Sequence, residues 1–173
     1  MTTDRTQDYL LGLVRELCKL PRETGWVEFK ENNADPNEIG EYLSALANSA
    51  VLADKAFAYL VWGVRDGCQD IVGTVFDPFA AKVGEEELEN WLLHMLTPKI
   101  DFRFFKVAID DKPVVILEIG RAFRHPVQFQ HQEYIRIGSY KKRLKDFPET
   151  ERKLWRAFEQ IPFEEMAAAE NIA

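Results

Sequence analysis

The sequence predicts an α+β domain in which one mixed β-sheet packs with helices. Three observations carry this. Helical and strand patterns alternate as helix, strand, helix, strand, helix, and then give way to a run of strands and a last helix. A well-capped helix joins two short apolar runs, which suits a crossover between parallel neighbours. Further on, an Asp-Asp pair separates two apolar runs, which suits an antiparallel hairpin.

Residues 8–19 read as a helix because Leu10, Leu13, Val14 and Leu17 recur at helical spacing, and Pro21 ends it. Residues 26–30 alternate, with Val27 and Phe29 on one side and Trp26, Glu28 and Lys30 on the other, the mark of a short strand. The helix over 36–50 has a clear start. Asp35 is its N-cap, Pro36 takes the first helical position and Glu38 completes a capping box. Its apolar face is Ile39, Leu43, Leu46, Ala47 and Ala50.

Residues 56–64 read as a buried strand that runs into a turn at Gly63-Val64-Arg65-Asp66-Gly67. Residues 85–96 read as a helix, with acids in the first turn and Pro98 just past the end. Residues 102–109 and 113–119 form the hairpin about Asp110 and Asp111, and 126–129 and 133–137 are two shorter strands. A helix over 149–160 is amphipathic through Leu154, Trp155 and Phe158, and the Ala-rich stretch Met166 to Ala173 reads as a frayed end.

At 173 residues, 46% hydrophobic and 29% charged, the chain has the size and composition of one globular domain. Its longest apolar run, Ala56 to Trp62, is too short for the roughly 20 residues that span a bilayer. Cys18 and Cys68 lie far apart with no CxxC or nearby His, which excludes a disulfide scaffold and points to a reducing, cytoplasmic location. The net charge of −7 argues against nucleic-acid binding by bulk attraction. That average hides a segregation. Seven Lys/Arg and one acid lie between Arg121 and Lys145, whereas six acids and one lysine lie between Glu23 and Glu41.

Several catalytic signatures are missing: there is no phosphate loop, no GxGxxG, no GxSxG and no metal-ligand spacing around His94, His125 or His131. Parallel strands at 26–30 and 57–64 would bring Glu28 and Lys30 close to Asp66, with Glu23 near by. Three converging carboxylates, Glu23, Glu28 and Asp66, suit Mg²⁺ or Mn²⁺ and water activation at a phosphodiester. The alternative is a set of ordinary solvated strand-end acids. The basic segment Tyr134-Ile135-Arg136-Ile137-Gly138-Ser139-Tyr140-Lys141-Lys142-Arg143-Leu144-Lys145 interleaves cations with aromatics, so Arg136, Lys141, Lys142, Arg143 and Lys145 are candidate phosphate contacts and Tyr134 and Tyr140 candidate stacking groups. The alternative there is a solvated strand end and loop that offsets the acids of the last helix.

Four stretches then occur in order: Trp26-Val27-Glu28-Phe29-Lys30-Glu31, Leu46-Ala47-Asn48-Ser49, Trp62-Gly63-Val64-Arg65-Asp66-Gly67 and Tyr134-Ile135-Arg136-Ile137-Gly138-Ser139. Together they resemble the Schlafen-type, Alba-like DNA-binding domain of bacterial RecG-related proteins and transcriptional regulators. The resemblance covers 22–145. It leaves 1–21 as an N-terminal helix, and 146–173 as a C-terminal helix and tail that lead to downstream domains. It implies an Alba-like α+β fold, nucleic-acid binding and, by analogy with Alba-like modules, a homodimer; the family is also described as a divergent ATPase-type domain, but with no phosphate loop in the sequence ATP is not expected within these residues, nor is a membrane partner. It also implies an alternative activity, a metal-dependent endonuclease acting on RNA or single strands with Glu23, Glu28 and Asp66 as ligands and Lys30 beside them. A third reading is a protein-interaction or oligomerisation domain, which the acidic pI of about 5.1 favours.

Overall fold

The computed structural model describes residues 5–22, 24–65 and 70–160. The Ala-rich end lies outside the described residues. Helix α1 (Gln7–Cys18) begins at Thr6, whose hydroxyl accepts from the Tyr9 amide. Strand β1 (Val27–Lys30) leads to helix α2 (Pro36–Leu52), where Asp35 accepts from the Glu38 amide as the capping pattern requires. Strand β2 (Phe57–Trp62) pairs parallel with β1, in the register Val27 to Tyr59 and Lys30 to Trp62. The crossover through α2 is thus the one that the capped helix predicts.

The stretch Ser49 to Lys55 holds no glycine, yet it must stop α2 and turn into β2. Asp54 does this at φ 53°, a left-handed conformation that a short polar side chain tolerates. The Asp54 amide donates to the Val51 carbonyl and the Lys55 amide to the Ala50 carbonyl, which is a Schellman ending.

Strands β3 (Lys82–Val83) and β4 (Glu86–Glu87) form a two-residue ribbon ahead of helix α3 (Leu88–Met95). Glu86 and Glu87 therefore belong to a strand, not to the first turn of a helix, and α3 starts later than its sequence pattern predicts. Strand β5 (Leu96–Thr97) follows. The hairpin β6 (Phe102–Ile109) and β7 (Lys112–Gly120) turns through Asp110 and Asp111 at φ 50° and 64°, as the Asp pair predicts for a two-residue loop. Strands β8 (Gln128–Phe129), β9 (Gln132–Ile137) and β10 (Tyr140–Arg143), a single 3₁₀ turn and helix α4 (Pro148–Glu159) complete the described chain.

Two four-stranded sheets result. The mixed sheet has the order β1-β2-β7-β6, and an antiparallel sheet has the order β10-β9-β8-β5. One mixed sheet is expected; instead the strands at 128–129 and 132–137 pair with each other and with β5 in a second sheet, which the basic residues 140–143 extend as a strand rather than a loop. Period-two alternation divides the mixed sheet into two faces. Tyr59, Val61, Phe105, Val107 and Ile116 pack with Val27 and Phe29 beneath α1 through Leu10, Val14 and Leu17. Leu60, Trp62, Phe104, Leu117 and Ile119 pack on the other face with α2, α3, α4 and the second sheet. Each fully buried side chain of this size contributes about 1.5–3 kcal/mol from the water it leaves.

Helix α2 is the spine of that second layer, and it is buried on polar positions as well as apolar ones. Its Ser44, Asn48 and Ser49 are buried and bind β9 at Tyr134 and Arg136, beyond its short pairing with β8 at Gln132 and Glu133. The Tyr134 amide donates to Ser44 Oγ at 2.9 Å, Asn48 Nδ2 donates to the Tyr134 carbonyl at 2.9 Å, and the Arg136 amide donates to Ser49 Oγ at 3.1 Å. Asn48 also spans Val127, accepting from its amide at 2.7 Å and donating to its carbonyl at 3.2 Å. Three side chains on a helix thereby do for β9 what a neighbouring strand would do.

Close approach is possible because position 40 is glycine. A Cβ on Gly40 would overlap the Phe129 ring, so β8 lies directly on the helix backbone there. Replacing Asn48 with Ala strands the Val127 amide and the Tyr134 carbonyl, each costing about 1–3 kcal/mol when buried without a partner. Urea denaturation should show that loss for N48A. It should show about 1–3 kcal/mol for G40A, where overpacking is the cause; either variant at wild-type stability would contradict this packing.

Candidate functional site

The basic segment folds back on itself as a hairpin. Strand β9 pairs with β10 in the register Tyr134 to Arg143 and Ile137 to Tyr140, and Gly138 turns the chain at φ 60°. This hairpin stands beside the N-terminal half of α2, which carries Glu38 and Glu41. The segregated charges of the sequence thus meet in space, and the meeting sorts the basic side chains into two groups.

The inward group comprises Arg136 and Lys141. The Arg136 side chain is 2% exposed; its Nη1 lies 3.0 Å from Glu28 Oε2 and donates to the Val27 carbonyl at 2.9 Å. Its Nε has no hydrogen-bond partner among the described residues. Arg136 is therefore not the surface phosphate contact that alternation alone predicts. It is correctly placed on the same face as Tyr134, but that face looks inward, toward α2 and the edge of β1. Lys141 makes ion pairs with Glu38 at 3.3 Å and Glu41 at 3.4 Å, and its ammonium lies 4.5 Å from the centre of the Tyr42 ring. At 13% exposure it is largely committed to α2, a second departure from the expected phosphate contact.

The outward group comprises Tyr140, Lys142, Arg143 and Lys145, all exposed. Tyr140 is 68% exposed, and Lys142 lies 5.6 Å from its ring centre. Arg143 pairs with Asp146 at 3.1 Å, an exposed pair that contributes little and that a phosphate can displace. Tyr134 is half-buried; burial, then the Glu41 charge, push its hydroxyl above the ordinary tyrosine range, against the opposing pull of Arg143. It stays a neutral hydrogen-bonding ring at physiological pH.

The expected carboxylate site is only partly described. Glu23 and Asp66 lie outside the described residues. The strand ends do lie together as parallel pairing requires, and just beyond them Glu31 meets Arg65 at 3.5 Å. Glu28, however, is buried with its carboxylate on Arg136, where a divalent ion would have to compete with a guanidinium. Among the described residues no three His, Cys, Asp or Glu side chains gather into a metal-binding group. The described donors do not make a site for Mg²⁺ or Mn²⁺.

Lys30 projects from the same face as Glu28, and its ammonium lies 4.9 Å from the Tyr42 ring centre. Burial draws its pKa down, but Tyr42, Glu28 and Glu38 outweigh this and hold it above the ordinary lysine value, so it keeps its charge. Tyr42 thus carries two ammonium groups on one buried ring. Sequence reasoning passes over Tyr42, although it sits one turn before Leu46 and three residues after Ile39 on the apolar face of α2.

Three of the four motif stretches therefore bind one another: Glu28 meets Arg136, Ser49 holds the Arg136 amide, and Asn48 holds the Tyr134 carbonyl. Because both charges are buried, removing one partner leaves the other uncompensated, at a cost of about 3–5 kcal/mol. R136M should lose that much stability by thermal or urea unfolding, while the double variant E28Q/R136M should recover a large part of it. A double variant no better than R136M alone would show that the pair is not coupled.

All four stretches fall within the part of the chain that a family model matches. A family model described as Schlafen, AlbA_2 matches residues 23–145. Among solved structures, the DIP2311 protein from Corynebacterium diphtheriae superposes with a TM-score of 0.51 at 16% identity, covering 79% of this chain and 26% of that one. The N-terminal domain of a RecG-related protein from Nitrosomonas europaea gives a TM-score of 0.43 at 21% identity, covering 69% and 75%. The chain thus spans about a quarter of the length of the Corynebacterium protein, and that likeness is one of fold. No curated protein matches. With the family model covering most of the chain and its motif residues bonded to one another in the fold, this protein belongs to the Schlafen AlbA_2 family.

Proposed function

We propose that this domain binds nucleic acid through the outer side of the β9–β10 hairpin, as the binding module of a larger helicase-related or regulatory protein. The observation that carries the reading is the exposed set Tyr140, Lys142, Arg143 and Lys145, a run of cations beside a ring on an otherwise acidic molecule. The cations neutralise backbone phosphates, and Tyr140 offers a face on which an unpaired base stacks. Membership of the Schlafen AlbA_2 family supports it. The inward commitment of Arg136 and Lys141 serves the same surface by fixing the hairpin rigidly to α2. The acidic remainder of the molecule repels the rest of the polyanion, so contact is confined to this strip.

The test is a titration of fluorescently labelled single- and double-stranded oligonucleotides across a range of salt. Affinity should fall steeply with salt, with a log–log slope of about −2 to −3 if each of the three outer cations neutralises one phosphate. The K142A/R143A/K145A variant should lose most of that slope, and Y140A should weaken single strands by about 1–3 kcal/mol while sparing duplex. K141A is the discriminating comparison: its charge is already taken by Glu38 and Glu41, so it should change the salt slope far less than the triple variant does, even where it loosens the hairpin. Salt-independent binding, or an undiminished triple variant, would overturn the assignment.

A further inference from the structure

On the inward side of the β9–β10 hairpin, Arg136 and Lys141 stand directly opposite each other in the ladder. Like charges in that position repel, so each needs an opposite charge of its own. Arg136 has the Glu28 carboxylate of β1 at 3.0 Å. The next residue on that side of β1 is Lys30, which cannot serve Lys141 in the same way, because both are cations. The two meet instead on Tyr42 of α2. The Lys141 ammonium lies 4.5 Å and the Lys30 ammonium 4.9 Å from its ring centre. The face of an aromatic ring is negative, so one ring accommodates two ammonium groups that could not pair with each other.

Glu38 and Glu41 also hold Lys141, but their side chains are 41% and 24% exposed, and ion pairs open to water contribute little. Tyr42 is buried, and a cation–π contact gains strength as it is desolvated. Where the Lys141 ammonium is held also decides where its neighbours point. Side chains alternate along a strand, so anchoring Lys141 inward turns Tyr140 and Lys142 to the opposite, outward side. Strand β10 is an edge with only β9 beside it, and among the described residues Lys141 supplies the ion pairs between β10 and α2.

We propose that Tyr42 is a positioning residue of the nucleic-acid surface. It fixes β10 by holding Lys141 and, with Lys30 on the same ring, ties that strand to β1. The inference rests on the nucleic-acid reading of the hairpin. Tyr42 itself is buried and meets no ligand. It spares the ligand the cost of ordering Tyr140 and Lys142, so it sets affinity without changing the number of phosphates neutralised.

The test replaces Tyr42 with phenylalanine, and then with phenylalanine carrying one, two and three ring fluorines, which withdraw charge from the ring face at nearly constant shape. Y42F keeps the ring and should bind a single-stranded oligonucleotide within about twofold of wild type. Each fluorine should then weaken binding, by about three- to tenfold at three fluorines, with the salt slope unchanged. In a K141A background the same series should be flat, because the ammonium that senses the ring is gone. Deuterium exchange of the β9–β10 ladder amides should quicken in the same stepwise order. A flat series with Lys141 present, a series equally steep in K141A, or a salt slope that falls with fluorination would overturn the proposal. If the unsubstituted protein binds no oligonucleotide, the nucleic-acid reading falls and amide exchange decides alone. Exchange that is unchanged across the series then overturns the role of Tyr42 as well, whereas stepwise exchange that K141A abolishes upholds it as the anchor of the hairpin.

Discussion

The buried guanidinium of Arg136 is the constraint on which the two-sheet arrangement depends. It reaches from β9 to the exposed flank of β1, taking the Glu28 carboxylate and the Val27 carbonyl together. Strand β1 is an edge of the mixed sheet, with β2 on one side only. Without Arg136 that edge would lose the guanidinium on Glu28 and the bond to the Val27 carbonyl, the polar contacts that draw the second sheet against it. A buried ion pair is seldom a net gain over apolar packing, but it admits only one geometry. Here the geometry that it admits is the juxtaposition of two sheets.

The polar stripe of α2 completes the joint. Ser44, Asn48 and Ser49 would weaken an isolated helix, because side chains of this kind compete for backbone bonds. In this fold they spend their bonding on the stretch of β9 that β8 does not reach. The hairpin that results is held at its base by Arg136 and at its flank by Lys141 on Glu38 and Glu41, while Gly138 and Ser139 at its turn are exposed. Fixed below and open above, it can present Tyr140 and its neighbouring cations without ordering costs on contact.

Much of this was legible from local rules. The Asp35 cap, the Asp110–Asp111 turn, the parallel β1–β2 pair and the division of Val27 and Phe29 from Glu28 and Lys30 all follow from nearest-neighbour chemistry, and the structure keeps them. What escaped depends on partners distant in sequence. Residues Tyr140 to Arg143 have little strand propensity of their own, and they are a strand because β9 offers them a ladder. Glu86 and Glu87 pair with Lys82 and Val83 rather than open a helix, a choice between two local patterns that only the ribbon decides. Alternation puts Tyr134 and Arg136 on one face, but whether a face is inside or outside is a fact about α2 and β1 that no window around residue 136 contains. For the same reason a cation count over 121–145 overstates the charge available to a ligand, since Arg136 and Lys141 are already neutralised.

The bond from Arg136 to Val27 joins residues 109 positions apart, and that distance has a consequence for the order in which the chain can acquire its shape. The β6–β7 hairpin closes over two residues and needs nothing beyond itself. Strand β1 is made early, yet the guanidinium that is buried on its carboxylate arrives only when the polypeptide has extended as far as β9. For all of that interval Glu28 keeps its water, and the flank of β1 stays hydrated. Strand β1 is thus sealed long after it is made, and its burial requires that β9 has arrived.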